Sequence, residues 1–224
     1  MWNTMRDVNT MGLQPMSSTY EASRCENITD WAFQQFRTHY GDKKLSKWDI
    51  SYYVYGLLHH PGYRTKFADN LKRELPRIPF APDFRAFATA GKELAALHLD
   101  YEKLEPYPLK WIETERVPLS YRVEDKMRLS KDKTILRVNP SLTLAGIPPE
   151  TFQYRLGNRS ALEWVIDQYQ VNQDKRSGIR SDPNRADDEQ YIVRLVGQVV
   201  RVSLDTVRIV AGLRERYGGG ENGG

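Results

Sequence analysis

Thr134-Ile135-Leu136-Arg137-Val138-Asn139-Pro140-Ser141-Leu142-Thr143-Leu144-Ala145 holds two short runs in which apolar and polar residues alternate, separated by an Asn-Pro-Ser turn signal. Alternation with a period of two on either side of a turn reads as a pair of β-strands, over 134–138 and 142–145. Residues 119–123 and 127–129 carry the same pattern, and Lys131-Asp132-Lys133 supplies the turn of a hairpin. Pro106 and Pro148-Pro149 bound this region. On both sides of it the apolar spacing changes to that of helices. The expected fold class is α+β, predominantly helical: a helical part, a small antiparallel β region, then a C-terminal helical part.

Upstream, Thr29 suits an N-cap, with Ile28 and Phe33 spaced as a hydrophobic staple, and Gly41 suits the stop of the helix it opens. Ser46 and Asp49 form a capping-box pair ahead of Ile50, Tyr53, Val54, Leu57 and Leu58, which fall on one helical face. Trp48, Tyr52 and Tyr55 occupy another face, so this helix is apolar almost all round. Pro61 fits the first turn of a third helix running to about Leu75, before the Pro-interrupted link at 76–82. Phe84, Phe87, Gly91, Leu94, His98 and Tyr101 then mark a heptad-spaced seam too short for an isolated coiled coil. Downstream, Ser160 and Glu163 make a second capping box, opening a helix to about Tyr169. A turn-rich segment, 171–188, follows. After it come a helix over 189–200, with Tyr191, Ile192, Leu195, Val196 and Val199 inward, and another over 203–213. The chain divides into an irregular leader (1–23), a helical part (24–105), a β region with C-terminal helices (106–217) and a flexible Gly-rich tail (218–224).

With 224 residues, 40% of them hydrophobic, the chain is long enough to bury a core and too apolar for a disordered polymer. No run approaches the roughly 18 apolar residues of a membrane span, and the N-terminus has no basic segment leading into an apolar one. A single cysteine, Cys25, rules out an internal disulfide. These features suit a cytoplasmic protein without a membrane partner. The net charge of +4 permits a polyanionic partner without requiring one.

Chemistry-bearing motifs are sparse. No Gly-x-x-x-x-Gly-Lys-Ser/Thr is present to cradle a triphosphate, and no Gly-x-Gly-x-x-Gly follows a strand. None of His39, His59, His60 and His98 stands at metal-ligand spacing from a cysteine or carboxylate, and His59 and His60 diverge by about 100° on a helix. Asn139-Pro140-Ser141-Leu142 lacks the second proline and the aromatic of a base-stacking methyltransferase loop, and reads as an ordinary turn. Asp187-Asp188-Glu189 suits a helix N-terminus. No catalytic residue, no metal site and no cofactor-binding residue is expected.

What remains is basic. Lys175, Arg176, Arg180 and Arg185 stand in the turn-rich segment against Asp174 and Asp182. Cations on such a loop can contact phosphates or base edges. The plainer reading of charge alone is that Arg176 and Arg185 pair with neighbouring aspartates to hold the loop. Arg64, Lys66, Lys72, Arg73 and Arg77 form a second basic face with the same two readings.

Many strings, in order, resemble the C-terminal specificity domain of Type ISP restriction–modification enzymes. They include Glu26-Asn27-Ile28-Thr29-Asp30-Trp31-Ala32, Tyr53-Val54-Tyr55-Gly56-Leu57-Leu58-His59, Gly146-Ile147-Pro148-Pro149-Glu150, Arg159-Ser160-Ala161-Leu162-Glu163-Trp164-Val165-Ile166-Asp167 and Asp174-Lys175-Arg176-Ser177-Gly178-Ile179. The resemblance extends from about Arg24 to about Leu213, while 1–23 looks unlike the sequence expected to precede it. It implies a target-recognition module for duplex DNA, not an enzyme by itself, with Tyr53 to His60 in the domain helix and Phe84 to Tyr101 as a spacer. Lys175, Arg176, Arg180, Arg185, Arg64, Lys72 and Arg73 become the candidate DNA contacts. S-adenosylmethionine, ATP and Mg would belong to nuclease, helicase and methyltransferase domains that have no counterpart here. The resemblance also suggests a cut-down or split gene product. A competing reading is a docking fragment without DNA contact, anchored by Trp48, Tyr52 and Tyr55.

Overall fold

The computed structural model describes residues 26–217, with side chains through Leu213. The leader at 1–23, Cys25 and the tail at 218–224 lie outside the described residues.

The first helix, α1 (Asp30–Tyr40), starts where Thr29 accepts from the Ala32 amide at 3.2 Å and ends at Gly41, whose φ of 62° suits glycine. The Ser46–Asp49 capping box opens α2 (Lys47–His59). His60 ends α2 and caps α3 (Pro61–Lys66), its Nδ1 accepting from the Tyr63 amide at 3.2 Å. Expected to reach Leu75, α3 stops at Lys66 and gives way to a 3-10 turn over Asn70–Lys72. The reason is packing: only Phe67 and Leu71 of that stretch reach the core, and Leu75 is 90% exposed. The Pro-interrupted link beyond is tied down by tyrosine hydroxyls. Tyr53 donates to the Pro79 carbonyl at 2.5 Å and Tyr63 to that of Arg77 at 2.7 Å, while Tyr40 donates to Ala81 at 2.7 Å.

The heptad-spaced seam lies on α4 (Phe84–Leu99), which packs along α2. The two helices approach closely enough that glycine is required at the crossing. A Cβ at Gly91 would lie 1.8 Å from the Tyr52 carbonyl oxygen, and one at Gly56 would lie 2.4 Å from that of Phe87. Phe36, Tyr53, Phe84 and Phe87 form the aromatic centre of this helical core.

The β region is a four-stranded antiparallel sheet in the order β1 (Lys110–Glu113), β4 (Leu142–Ala145), β3 (Ile135–Arg137), β2 (Arg128–Leu129). The three strands expected between 127 and 145 are present, β2 and β3 shortened at their ends and β4 at its expected length. Residues 119–123 are not a strand, because side chains take their backbone groups. Asn139 donates from Nδ2 to the Ser120 and Arg122 carbonyls, both at 2.8 Å, and Asn184 clasps Val123 through its amide and its carbonyl, again at 2.8 Å. The unforeseen edge strand β1 lacks burial alternation, all four residues being exposed, so period two could not betray it. Asn139 Oδ1 accepts from the Ser141 and Leu142 amides, which makes the Asn-Pro-Ser-Leu turn a structural one.

A short hairpin, β5 (Arg155–Leu156) and β6 (Arg159–Ser160), leads into α5 (Ala161–Gln168), with the Ser160–Glu163 capping box as expected. The two expected C-terminal helices are one, α6 (Tyr191–Tyr217), 27 residues long. Neither glycine nor proline interrupts 200–206, and Ser203 donates back to the Val199 carbonyl at 2.7 Å instead of starting a new helix. Tyr191 to Val200 pack in the core shared with the sheet and α5, whereas Ile209 and Leu213 pack in the helical core. The fold is α+β, with α6 as the beam common to both cores. Where the parts meet, His98 on α4 bonds Tyr55 Oη through Nδ1 and Thr206 Oγ1 through Nε2, each at 2.8 Å, and stacks on Tyr154.

Candidate nucleic-acid interface

The turn-rich basic segment is a hairpin, β7 (Asn172–Gln173) and β8 (Arg180–Ser181). Asp174 builds its tip. Its Oδ1 accepts from the amides of Arg176 at 2.9 Å and Ser177 at 2.7 Å and from the Ser177 hydroxyl at 2.9 Å, and Gly178 takes a φ of 71°. Those bonds, the Ser177 amide foremost, hold the Asp174 carboxyl below the usual range. Lys175 and Arg176 therefore project from a turn of defined shape, both exposed, beside Ile179, which is 69% exposed.

The expectation that Arg176 and Arg185 pair with aspartates fails. Arg176 meets Asp174 through its backbone amide, and its guanidinium forms no ion pair among the described residues. Arg185 instead lies over the Tyr191 ring, its Cζ 3.3 Å from the centroid. Arg180 does approach Asp182, at 3.9 Å, and Arg122 approaches the same carboxylate at 3.4 Å. Asp188, from the acidic run before α6, pairs with Arg194. The hairpin base docks on the segment before β2: besides the Asn184 clasp, the Val171 amide donates to the Asp125 carbonyl at 2.9 Å.

Arg64, Lys66, Lys72, Arg73 and Arg77 are all exposed, on α3 and the turns after it. Lys72 pairs with Asp69 at 3.3 Å and Arg77 with Glu74 at 3.6 Å, whereas Arg64 and Arg73 form no ion pair among the described residues. The fold does not gather this face with the hairpin. Arg64 acts electrostatically on His59 and Tyr154, which surround His98 at the level of Thr206, whereas Arg185 sits over Tyr191. At about 1.5 Å per residue those two levels of α6 are roughly 22 Å apart.

A third basic surface went unseen in the sequence. Lys126 and Arg128, Lys133 of the β2–β3 turn, and Arg155 and Arg159 of the β5–β6 hairpin converge with Glu163 and Asp167 of α5 around an open groove of about 840 Å³. Lys126 bonds Asp167 at 2.5 Å, Arg159 pairs with the same carboxylate, and Lys133 bonds Glu163 at 2.7 Å. That lysine, with the Ser160 amide, holds the Glu163 carboxyl down to about 2. The five cations come from three separated stretches of chain, so local charge counting could not find them.

Among the described residues no group of three or more His, Cys, Asp or Glu is placed to hold a metal ion, and no helix is long and apolar enough to cross a membrane. His59 faces His98, ring centroids 5.4 Å apart, rather than His60. Both His98 nitrogens are taken by Tyr55 and Thr206. The arrangement is suited to holding an extended anion.

The sequence pattern of the Type ISP C-terminal specificity domain matches residues 8–195. The chain belongs to that family. The match begins at residue 8, which corrects the expectation of a leader unlike the family for 8–23, and it covers α1 to α5 with the hairpin. Several solved structures are similar to this chain, two of them Type ISP enzymes by name. A cryo-electron-microscopy structure of a DrdV–DNA complex is 41% identical with a TM-score of 0.72 over 83% of this chain and 20% of that one. The ATP-dependent Type ISP restriction–modification enzyme LlaBIII bound to DNA is 36% identical, TM-score 0.71, over 80% of this chain and 12% of that one. A nuclease-deletion mutant of the Type ISP enzyme LlaGI in complex with a DNA substrate mimic is 37% identical, TM-score 0.67, over 76% and 14%. This specificity-domain chain thus spans a fifth or less of the structures it matches. No curated protein matches it.

Proposed function

We propose that this chain is a DNA-binding target-recognition and docking module of a restriction–modification system, non-catalytic by itself and working in the cytoplasm. The observation that carries the reading is the β7–β8 hairpin: an Asp174-built turn presents Lys175 and Arg176 to solvent with no ion pair among the described residues, in a family whose solved members include DNA complexes. The hairpin cations contact the duplex backbone, and Arg64, Lys72 and Arg73 supply further contacts from α3 and its turn. Methyltransferase and helicase domains of a larger enzyme or a neighbouring gene product are the docking partners, and they hold S-adenosylmethionine, ATP and Mg. The alternative, a docking fragment without DNA contact, loses its named anchors. Trp48 packs on Tyr52, and Tyr55 is hydrogen-bonded to His98; all three are half-buried.

Binding of a labelled random-sequence duplex, followed by fluorescence anisotropy across a salt series, tests the proposal. The logarithm of the affinity should fall linearly with log salt, by about 0.9 per phosphate neutralised. Lys175→Ala/Arg176→Ala should flatten that slope by about 1 to 2 while leaving the fold intact. Absence of binding at low salt would overturn the reading.

A further inference from the structure

We infer that the groove between β2, the β5–β6 hairpin and α5 is a second anchor for the phosphate backbone of duplex DNA, continuous with the β7–β8 hairpin. This deepens the reading above and rests on it. Five cations line the groove or its rim, and three carboxylates answer them. Lys126 and Arg159 share Asp167, Lys133 has Glu163, and Arg128 reaches Asp125 at 3.5 Å, where both side chains are 75% exposed. Arg155 has no carboxylate among the described residues; its guanidinium donates to the Asn158 carbonyl in its own turn. Backbone holds that guanidinium in place while leaving its remaining N–H groups to solvent, the arrangement that favours a phosphate oxygen.

The sheet adds a second sign. Arg128 stands directly across from Arg137 in the β2–β3 register, and both are exposed. Like charges opposed on adjacent strands repel, and an anion bridging them relieves the repulsion. Arg137 lies on the outer face of the sheet, in the row Ile112–Thr143–Arg137–Arg128 that ends on the edge strand β2, so positive potential wraps from that face over the β2 edge into the groove.

Continuity with the hairpin follows from shared backbone. The segment 122–128 carries Arg122, which meets Asp182 beside Arg180, and Asp125, whose carbonyl receives the Val171 amide at the hairpin base. Its next residues are Lys126 and Arg128 of the groove. The groove is wide, open and lined mainly by charged side chains, which fits a phosphodiester chain and not an enclosed apolar ligand.

The test uses the full chain and a labelled random-sequence DNA duplex. Arg128→Gln/Arg155→Gln removes two cations with only exposed or own-turn partners, and far-UV circular dichroism and the urea midpoint check that the fold is unchanged. The expected result is a salt slope flattened by about 1.8 and a more than tenfold loss of affinity at low salt. Lys92→Gln, an exposed cation on α4, should change neither. Arg155→Gln alone should flatten the slope by about 0.9, which keeps the test available if the double variant is unstable. Wild-type slope and affinity in both groove variants, with Lys175→Ala/Arg176→Ala still impaired, would overturn the groove and spare the proposed function. A wild-type chain that ignores duplex at low salt would overturn both.

Discussion

Asn139 carries more of the β region than its size suggests. It is 5% exposed and uses both ends of its amide, donating to two carbonyls of the 119–123 segment and accepting from two amides of its own turn. Asn139→Ala leaves those groups buried without partners and should cost roughly 2–4 kcal/mol, measured as a lowered urea midpoint. His98 makes the complementary case for charge. Burial first, then the nearby His59, lowers its pKa to about 4. The groups facing it are Tyr55 and His59 from α2, Tyr154, and Thr206 from α6, with Arg64 acting on His59 and Tyr154. The unfolded chain, at about 6.5, takes up the proton before the folded one does. This contribution to stability is therefore complete above about pH 6.5 and is lost as pH falls toward 4. His98→Gln should remove part of the loss in urea midpoint expected of wild type between about pH 7 and pH 5. An identical pH dependence in the two proteins would contradict the assignment.

At the scale of elements, opposite outcomes are expected from the same substitution at two glycines. Gly91→Ala drives a methyl into the Tyr52 carbonyl at the α2–α4 crossing and should destabilise by more than about 2 kcal/mol, since backbone must move. Gly212→Ala, on α6 with nothing within 4 Å, should stabilise by about 0.5 kcal/mol through helix propensity. Chemical denaturation of both variants checks the pair. Most helices were legible because their signals are local: caps at Thr29, Ser46 and Ser160, a stop at Gly41, apolar stripes between. The illegible elements depended on distant partners. Residues 119–123 have strand-like alternation, but Asn139 and Asn184 take their hydrogen bonds, and β1 exists only because β4 offers an edge.

For the whole molecule, α6 decides the cooperativity. One face of its first half completes the core of the sheet, and Ile209 and Leu213 complete the helical core, so neither core unfolds without loosening the other. Far-UV circular dichroism and tryptophan fluorescence, which samples Trp31 and Trp48 in the helical part and Trp111 and Trp164 in the β part, should trace one coincident transition in urea. Two separated transitions would show that α6 does not couple the cores. The candidate site is legible at the same scale only in part. Lys175 and Arg176 stand out as a run and are both exposed, but the aspartate partners of the plainer reading of Arg176 and Arg185 are not found among the described residues. Proximity in sequence does not tell whether a guanidinium finds a carboxylate or an aromatic ring.

Taken alone, the amino-acid order determined the fold class, the starts of α1, α2, α3 and α5, the turn at Asn139 and the family, because each is written in neighbouring residues or in long ordered strings. Tertiary structure alone decided that α2 and α4 meet glycine to glycine, and that Lys126, Arg128, Lys133, Arg155 and Arg159 share one groove. Each of these is a contact between segments far apart along the chain. Packing, not local preference, sets which segments meet, and so local patterns hold no trace of it.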